Sequence, residues 1–273
     1  MPELPEVENV RISLEQQGLK GQTFSEVVFL RPDLRTKLRP DLKKQLPGQS
    51  IQTMERRAKY LLWHTDDYTV ISHLGMTGSW RFIDSQEQIE KHDHVVLRFR
   101  SGKTLVFNDP RRFGIFEFVP KPKIAESRWL QHLGPEPLSE TFTAKFLFSQ
   151  SRRRSAPIKA FLMDQRNVVG VGNIYASEAL FKAGIRPTRQ AGKITQTEAV
   201  RLVEAIQKIL NQAIQSGGST IRDYRNSQGE SGKFQAQFAV YDRKGEPCQT
   251  CSTPIKAKVI AGRSTFWCNK CQR

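Results

Sequence analysis

The 273-residue sequence predicts an α+β chain of two domains, a β-rich first half and a helical second half that ends in a metal-bound hairpin. Three observations carry this prediction. Short β-type runs fill the stretch from about Phe24 to Val119, helical periodicity takes over further on, and all four cysteines fall in the last 26 residues.

The chain opens on MPELPEVENV, where Pro5 suits a first helical position and Val7, Val10, Arg11 and Leu14 recur at helical spacing until Gly18. The N-terminus therefore leads straight into a helix. The runs TVISHL at 69–74, VVLRFR at 95–100, TLVF at 104–107 and IFEFV at 115–119 follow, with turn signals such as Asp66-Asp67 and Ser101-Gly102 between them. A β-sandwich or a barrel closes so many short strands. The stretch LGPEPLSET at 133–141 disfavours regular structure and marks a boundary.

Beyond that boundary EAVRLVEAIQKILNQAI at 198–214 places Val200, Val203, Ile206, Leu210 and Ile214 on one helical stripe, which reads as core. Residues 216–234 are polar, glycine-rich and without an apolar period. They predict a long mobile loop of the kind that often forms a lid or binding loop.

The net charge of +16 and pI near 9.9 point to a polyanionic partner, with nucleic acid and acidic lipid both open on charge alone. Residues 1–150 carry a balance of +3 and residues 151–273 one of +13, so the second half is expected to hold most phosphates. No run of 18 apolar residues occurs, and acids replace the apolar stretch of a signal peptide. The expectation is a soluble, cytoplasmic protein.

Cys248-x2-Cys251 and Cys268-x2-Cys271 flank 16 residues, the spacing of two knuckles converging on one tetrahedral zinc ion. Four thiolates complete the coordination shell, so the zinc is expected to be structural. Between the knuckles IKAKVIAGRSTFWC reads as two short strands around Gly262. Arg263 at that tip is either a phosphate contact or a solvated surface residue.

The runs MPELPEVE, RRAKYLL at 56–62, HLGMTGS at 73–79, NDPRRFG at 108–114, VVGVGNIYASE at 168–178 and the cysteine knuckles occur in one order along the chain. Together they resemble bacterial formamidopyrimidine-DNA glycosylase, a bifunctional DNA glycosylase and abasic-site lyase. The resemblance implies an N-terminal catalytic β-sandwich flanked by helices at 1–133, a helix-two-turn-helix domain at 134–237 and a zinc finger at 238–273. Double-stranded DNA with oxidised purines or abasic sites would be the partner and a monomer the acting form. Periodicity alone does not supply the helix-two-turn-helix.

On this resemblance the nucleophile is the amine of Pro2, exposed once Met1 is removed. An α-amine near pKa ~7.7–8.0 is neutral in roughly a tenth of molecules at pH 7, whereas a lysine near ~10.4 is almost wholly protonated. Its secondary amine forms an iminium, a fixed positive charge that draws electrons during elimination. The residue matching Glu3 is the acid/base group and Glu6 its supporting acid. Both would equally complement a helix N-terminus.

The resemblance also implies that Lys59 contacts phosphate and assists β-elimination and that Arg263 grips phosphates around the flipped nucleotide. A guanidinium is a poor proton donor, which ranks charge stabilisation above proton transfer for Arg263. Met76, Arg111 and Phe113 match a triad that fills the space left by an extruded base. Asn173 matches a phosphate-binding residue at a helix start. His73, His92, Arg154 and Lys159 match DNA-backbone contacts.

Two other readings compete with oxidised-purine excision. A related endonuclease-eight-like branch prefers oxidised pyrimidines, but its start usually reads PEGPE, where Leu4 here gives PELPE. A non-catalytic zinc-ribbon DNA-binding protein would explain the charge and cysteines and leave PELPE unexplained.

Overall fold

The computed structural model describes residues 1–84, 88–220 and 224–273. By its contacts the chain divides into two compact units, Met1–Gln131 with Ser216–Lys233, and His132–Gln215 with Phe234–Arg273. Residues 216–233, grouped with the helical part on sequence, thus belong to the first unit.

The first unit begins with α1 (Leu4–Gln16), whose buried face is Leu4, Val7, Val10 and Leu14, as the spacing predicts. Two antiparallel four-stranded sheets follow. One has the order β1 (Phe24–Phe29), β6 (Asp93–Phe99), β7 (Thr104–Asn108), β5 (Ser79–Ile83). The other runs β2 (Thr53–Arg57), β3 (Tyr60–His64), β4 (Tyr68–His73), β8 (Ile115–Pro120). A short α2 (Leu42–Gln45) packs on β1.

The two sheets close as a sandwich. Trp63 of β3 lies 5.0 Å from Trp80 of β5, and Trp80 lies 5.7 Å from Phe116 of β8, so the inner faces of both sheets share one core. Strand alternation sorts β6: Val95, Leu97 and Phe99 enter that core, while Val96 joins Ile83 and Val106 in a separate cluster. α1 packs on β2 and β3, which sets the chain's first residues beside the β2–β3 hairpin.

The second unit contains α3 (Ala144–Ser151), α4 (Ile158–Met163), α5 (Asn173–Ala183) and α6 (Gln196–Gln215). Thr143 caps α3 by accepting from Phe146 N at 3.1 Å. On α6 the buried face contains Leu202, Val203, Ile206, Ile209 and Leu210. Val200, expected on the core stripe, is 41% exposed, because burial centres on Leu202 and Ile209 and turns the stripe's first residue outward. α5 packs against α4, α6 and β10 of a terminal hairpin, β9 (Lys256–Ile260) and β10 (Arg263–Trp267). Its turn is Ala261 and Gly262, both at positive φ, the conformation of a two-residue hairpin turn. Among the described residues no helix is long and apolar enough to cross a membrane.

Candidate active site

Pro2, Glu3 and Glu6 are buried at the start of α1, with Glu3 3% and Glu6 2% exposed. Charged groups at such depth need partners. Glu6 Oε2 accepts from Glu3 N at 2.9 Å, one half of a capping box with Glu3 at the N-cap. Its other oxygen, Oε1, accepts from Ser219 N at 2.7 Å. One carboxylate therefore caps the helix start and reaches the 216–233 segment at once.

Lys59 is 7% exposed and occupies the two-residue turn between β2 and β3, next to Ala58 at φ 55°. Arg56 fastens this turn to α1, donating to Glu8 Oε2 and to Ala58 O, both at 3.0 Å. The clamp sets Lys59 near the chain's first amine. Burial holds that amine below its usual pKa of 8.0; Glu3 and Glu6 oppose the shift, and the positive charges of Lys59 and Arg111 add to it. The amine is that of Met1 in the full chain and passes to Pro2 on Met1 removal.

His73 ends β4, where its Nδ1 accepts from Gly75 N at 2.9 Å and its ring lies 4.8 Å from that of Tyr60. Burial lowers its pKa to about 3, with Lys59 and Arg35 adding to the effect. The imidazole is thus neutral at pH 7, leaving Nε2–H as a donor and no charge to offer a phosphate. Met76 is half-buried, Arg111 is exposed, and Phe113 is 44% exposed. The Arg111 guanidinium lies 5.0 Å from the Phe113 ring centre. His92 is half-buried, and its carbonyl accepts from Asp109 N at 2.9 Å.

The segment expected to be a mobile loop at 216–234 includes residues 221–223, which lie outside the described residues. Its described part has no helix or strand before Phe234 but is fastened to α1. Besides the Ser219 bond, Tyr224 Oη donates to Glu6 O at 3.1 Å and Ser227 Oγ donates to Ser13 Oγ at 2.6 Å. Burial pushes the Tyr224 hydroxyl pKa up, with Glu6 adding, so the hydroxyl stays protonated as a donor. A Cβ on Gly232 would fall 2.2 Å from Gly218 O, which explains the paired glycines as a close backbone approach. Neither Ser219 nor Tyr224 carries a local motif; a separation of more than 200 residues hides their link to Glu6.

In the second unit Arg154 is exposed and Arg263 is exposed at the hairpin tip, both available to a phosphate. Asn173 opens α5; its Nδ2 lies 3.5 Å from Tyr241 Oη, and its buried Oδ1 has no hydrogen-bond partner among the described residues. Lys159, expected to contact the DNA backbone, is instead 1% exposed. Its ammonium donates to Ser264 O at 3.0 Å and Thr265 Oγ1 at 2.9 Å, so it ties α4 to β10 beside Arg263. A lysine on a short helix gives no local sign of such burial.

Glu178 of α5 also serves this hairpin region: its carboxylate accepts from the backbone N–H groups of Ala239, Val240 and Tyr241 at 2.8–3.0 Å. Burial nevertheless raises its pKa, the three amides opposing the shift. The ligand sulfurs of Cys248, Cys251, Cys268 and Cys271 all lie within 4.8 Å of one another. Zinc–sulfur bonds of about 2.3 Å in a tetrahedron need sulfurs roughly 3.8 Å apart, which this set matches. The cysteines fit one structural zinc with no ligand position left open.

Residues 1–116 match the formamidopyrimidine-DNA glycosylase N-terminal domain, residues 133–225 the formamidopyrimidine-DNA glycosylase H2TH domain, and residues 245–273 a zinc finger found in FPG and IleRS. A formamidopyrimidine-DNA glycosylase of Bdellovibrio bacteriovorus is 49% identical over 275 residues, covering all of both chains. Among solved structures, a Lactococcus lactis FPG mutant bound to DNA containing Fapy-dG is 36% identical with a TM-score of 0.92 over all of both chains. The Lactococcus lactis Fpg complex with abasic-site DNA is 36% identical with a TM-score of 0.91, covering 99% of each chain.

Proposed function

The chain belongs to the formamidopyrimidine-DNA glycosylase family, and from that premise we propose that it excises oxidised purines, 8-oxoguanine and formamidopyrimidines, from duplex DNA and then cleaves the abasic site. The observation that carries the mechanism is Pro2 buried beside Glu3 and Glu6 at the start of α1, at a chain end whose amine is pushed towards its neutral form by burial and then by the positive charges of Lys59 and Arg111. A neutral amine is a nucleophile at pH 7.

With Met1 removed, the Pro2 nitrogen attacks C1′ as the bond from C1′ to the base breaks, and the base departs with a proton. Glu3 protonates the sugar ring oxygen or leaving group, with Glu6 supporting it, and the C1′–O4′ bond breaks with a proton on O4′ as the Pro2 nitrogen becomes an iminium. Loss of a C2′ proton from the iminium breaks the C3′–O3′ bond, and a second elimination breaks C5′–O5′. Lys59 assists the first elimination beside the phosphate. Arg263, Arg154 and Asn173 hold phosphates, His92 contacts the backbone, and His73 contributes a neutral donor. Met76, Arg111 and Phe113 occupy the space of the extruded nucleotide. The enzyme acts as a monomer in the cytoplasm.

Neither the oxidised-pyrimidine reading nor the non-catalytic zinc ribbon is favoured by the family and structural matches. The test is borohydride trapping on duplex DNA with 8-oxoguanine opposite cytosine. A covalent adduct mapped to Pro2 is expected. No adduct from protein whose N-terminus is verified as Pro2 would refute the mechanism.

A further inference from the structure

Two turns of the sandwich unit carry the void-filling triad. The turn at 74–78, between β4 and β5, bears Met76, and the turn at 109–114, between β7 and β8, bears Arg111 and Phe113. Their backbones touch: a Cβ on Gly75 would lie 2.4 Å from the carbonyl carbon of Phe113 and 2.6 Å from Gly114 N. Gly75 also has φ 63°, so both shape and space require glycine there.

Asp109 lies where the turns meet and is 0% exposed. Its two carboxylate oxygens serve different turns. Oδ1 accepts from the Thr77 hydroxyl at 2.6 Å and Oδ2 from Gly114 N at 2.7 Å. Thr77 Oγ1 in turn accepts from Arg111 N at 3.2 Å, so the hydroxyl relays the carboxylate's hold to the backbone of Arg111. The main chain of Asp109 is equally engaged: its N–H donates to His92 O at 2.9 Å, and its carbonyl accepts from Arg112 N at 3.1 Å. That carbonyl also lies 3.0 Å from His94 Nε2.

A buried carboxylate is costly unless fully bonded, and each turn alone could be capped without one. What the carboxylate adds is a fixed relation between the two turns. An exposed phenyl ring that must enter a base stack gains from being held in place beforehand, since ordering it on binding would weaken the complex.

We propose that Asp109 and Thr77 are positioning residues that lock Met76, Arg111 and Phe113 into one rigid wedge, a role that rests on reading those three as void fillers. Thr77→Val keeps the side-chain shape and removes both hydroxyl bonds, whereas Thr77→Ser keeps the hydroxyl. The wedge has work only where a stacked duplex must be opened, so single-turnover excision of 8-oxoguanine from duplex DNA is compared with borohydride trapping on single-stranded abasic DNA.

Thr77→Val should slow duplex excision about tenfold or more and weaken the preference for cytosine over adenine opposite the lesion, with single-strand trapping within about twofold of the unaltered protein. Thr77→Ser should restore both duplex properties. Unchanged duplex excision in Thr77→Val, or equal loss on both substrates, overturns the proposal. Phe113→Ala keeps the two readings apart. If it excises from duplex DNA normally, the void-filling reading fails; if it is slow while Thr77→Val is not, only the positioning role fails.

Discussion

Glu6 Oε1 accepts from Ser219 N at 2.7 Å while Glu6 Oε2 accepts from Glu3 N at 2.9 Å. One carboxylate thus joins the residue proposed as acid/base to the glycine-rich segment that folds over α1. Replacing Glu6 by Gln leaves an amide NH2 facing one of two N–H donors. Loss of a charge-assisted buried bond of about 1.5–3 kcal/mol should slow base excision roughly ten- to a hundredfold. The 216–233 segment should also become more sensitive to limited proteolysis. Unchanged protection with full activity would show that Glu6 does not couple the two.

The chain-start amine is held below its ordinary pKa of 8.0, with the Lys59 charge contributing. Adduct formation by Pro2 should rise with pH as its amine loses the proton and then level off. Lys59→Gln removes a positive charge, so the neutral amine becomes harder to form and the profile should move to higher pH. Trapping on pre-formed abasic DNA across pH 5.5–9 reads this separately from base release. A profile that stays in place with Lys59→Gln would remove Lys59 from the amine's electrostatics.

His73 has its folded-state pKa lowered to about 3 by burial, below the unfolded value of about 6.5. The unfolded state binds the extra proton, so the stability due to the neutral imidazole is complete above pH 6.5 and is lost as pH falls towards 3. His73→Asn, whose amide oxygen can still accept from Gly75 N, should flatten the fall in melting temperature between pH 6.5 and 4. An unaltered acid limb would count against the shift.

Chelation should release one zinc per chain and unfold the β9–β10 hairpin, whose cluster includes Cys248 and Cys268 beside Ile255 and Phe266. Duplex binding should fall with it, because Arg263 loses its support. Lys159→Met tests the other anchor: zinc should be retained while DNA affinity drops, as the bonds to Ser264 and Thr265 are lost. Metal analysis and binding isotherms over a range of salt separate the two effects, and normal affinity in Lys159→Met would refute its anchoring role.

Local chemistry alone makes several features legible. The α1 stripe, the β-runs of the first half, the junction near 133–141 and the four-cysteine site all follow from spacing, because each depends on residues close in sequence. PELPE and the resemblance of the other motifs add the proposed site residues, including Pro2, Glu3 and Lys59. Side-chain depth is not local. Val200 leaves its stripe, and Lys159 turns from the surface to bind the hairpin, because neighbours from distant segments decide which face is covered.

Tertiary structure alone decided the fastening of Ser219 and Tyr224 to α1, the Arg56–Glu8 clamp and the Asp109–Thr77 link between two turns. Each is a hydrogen bond or packing contact between elements far apart in the chain. Backbone periodicity reports what one segment must bury or cap. It carries no information about which distant donor meets a given acceptor until the whole chain has folded.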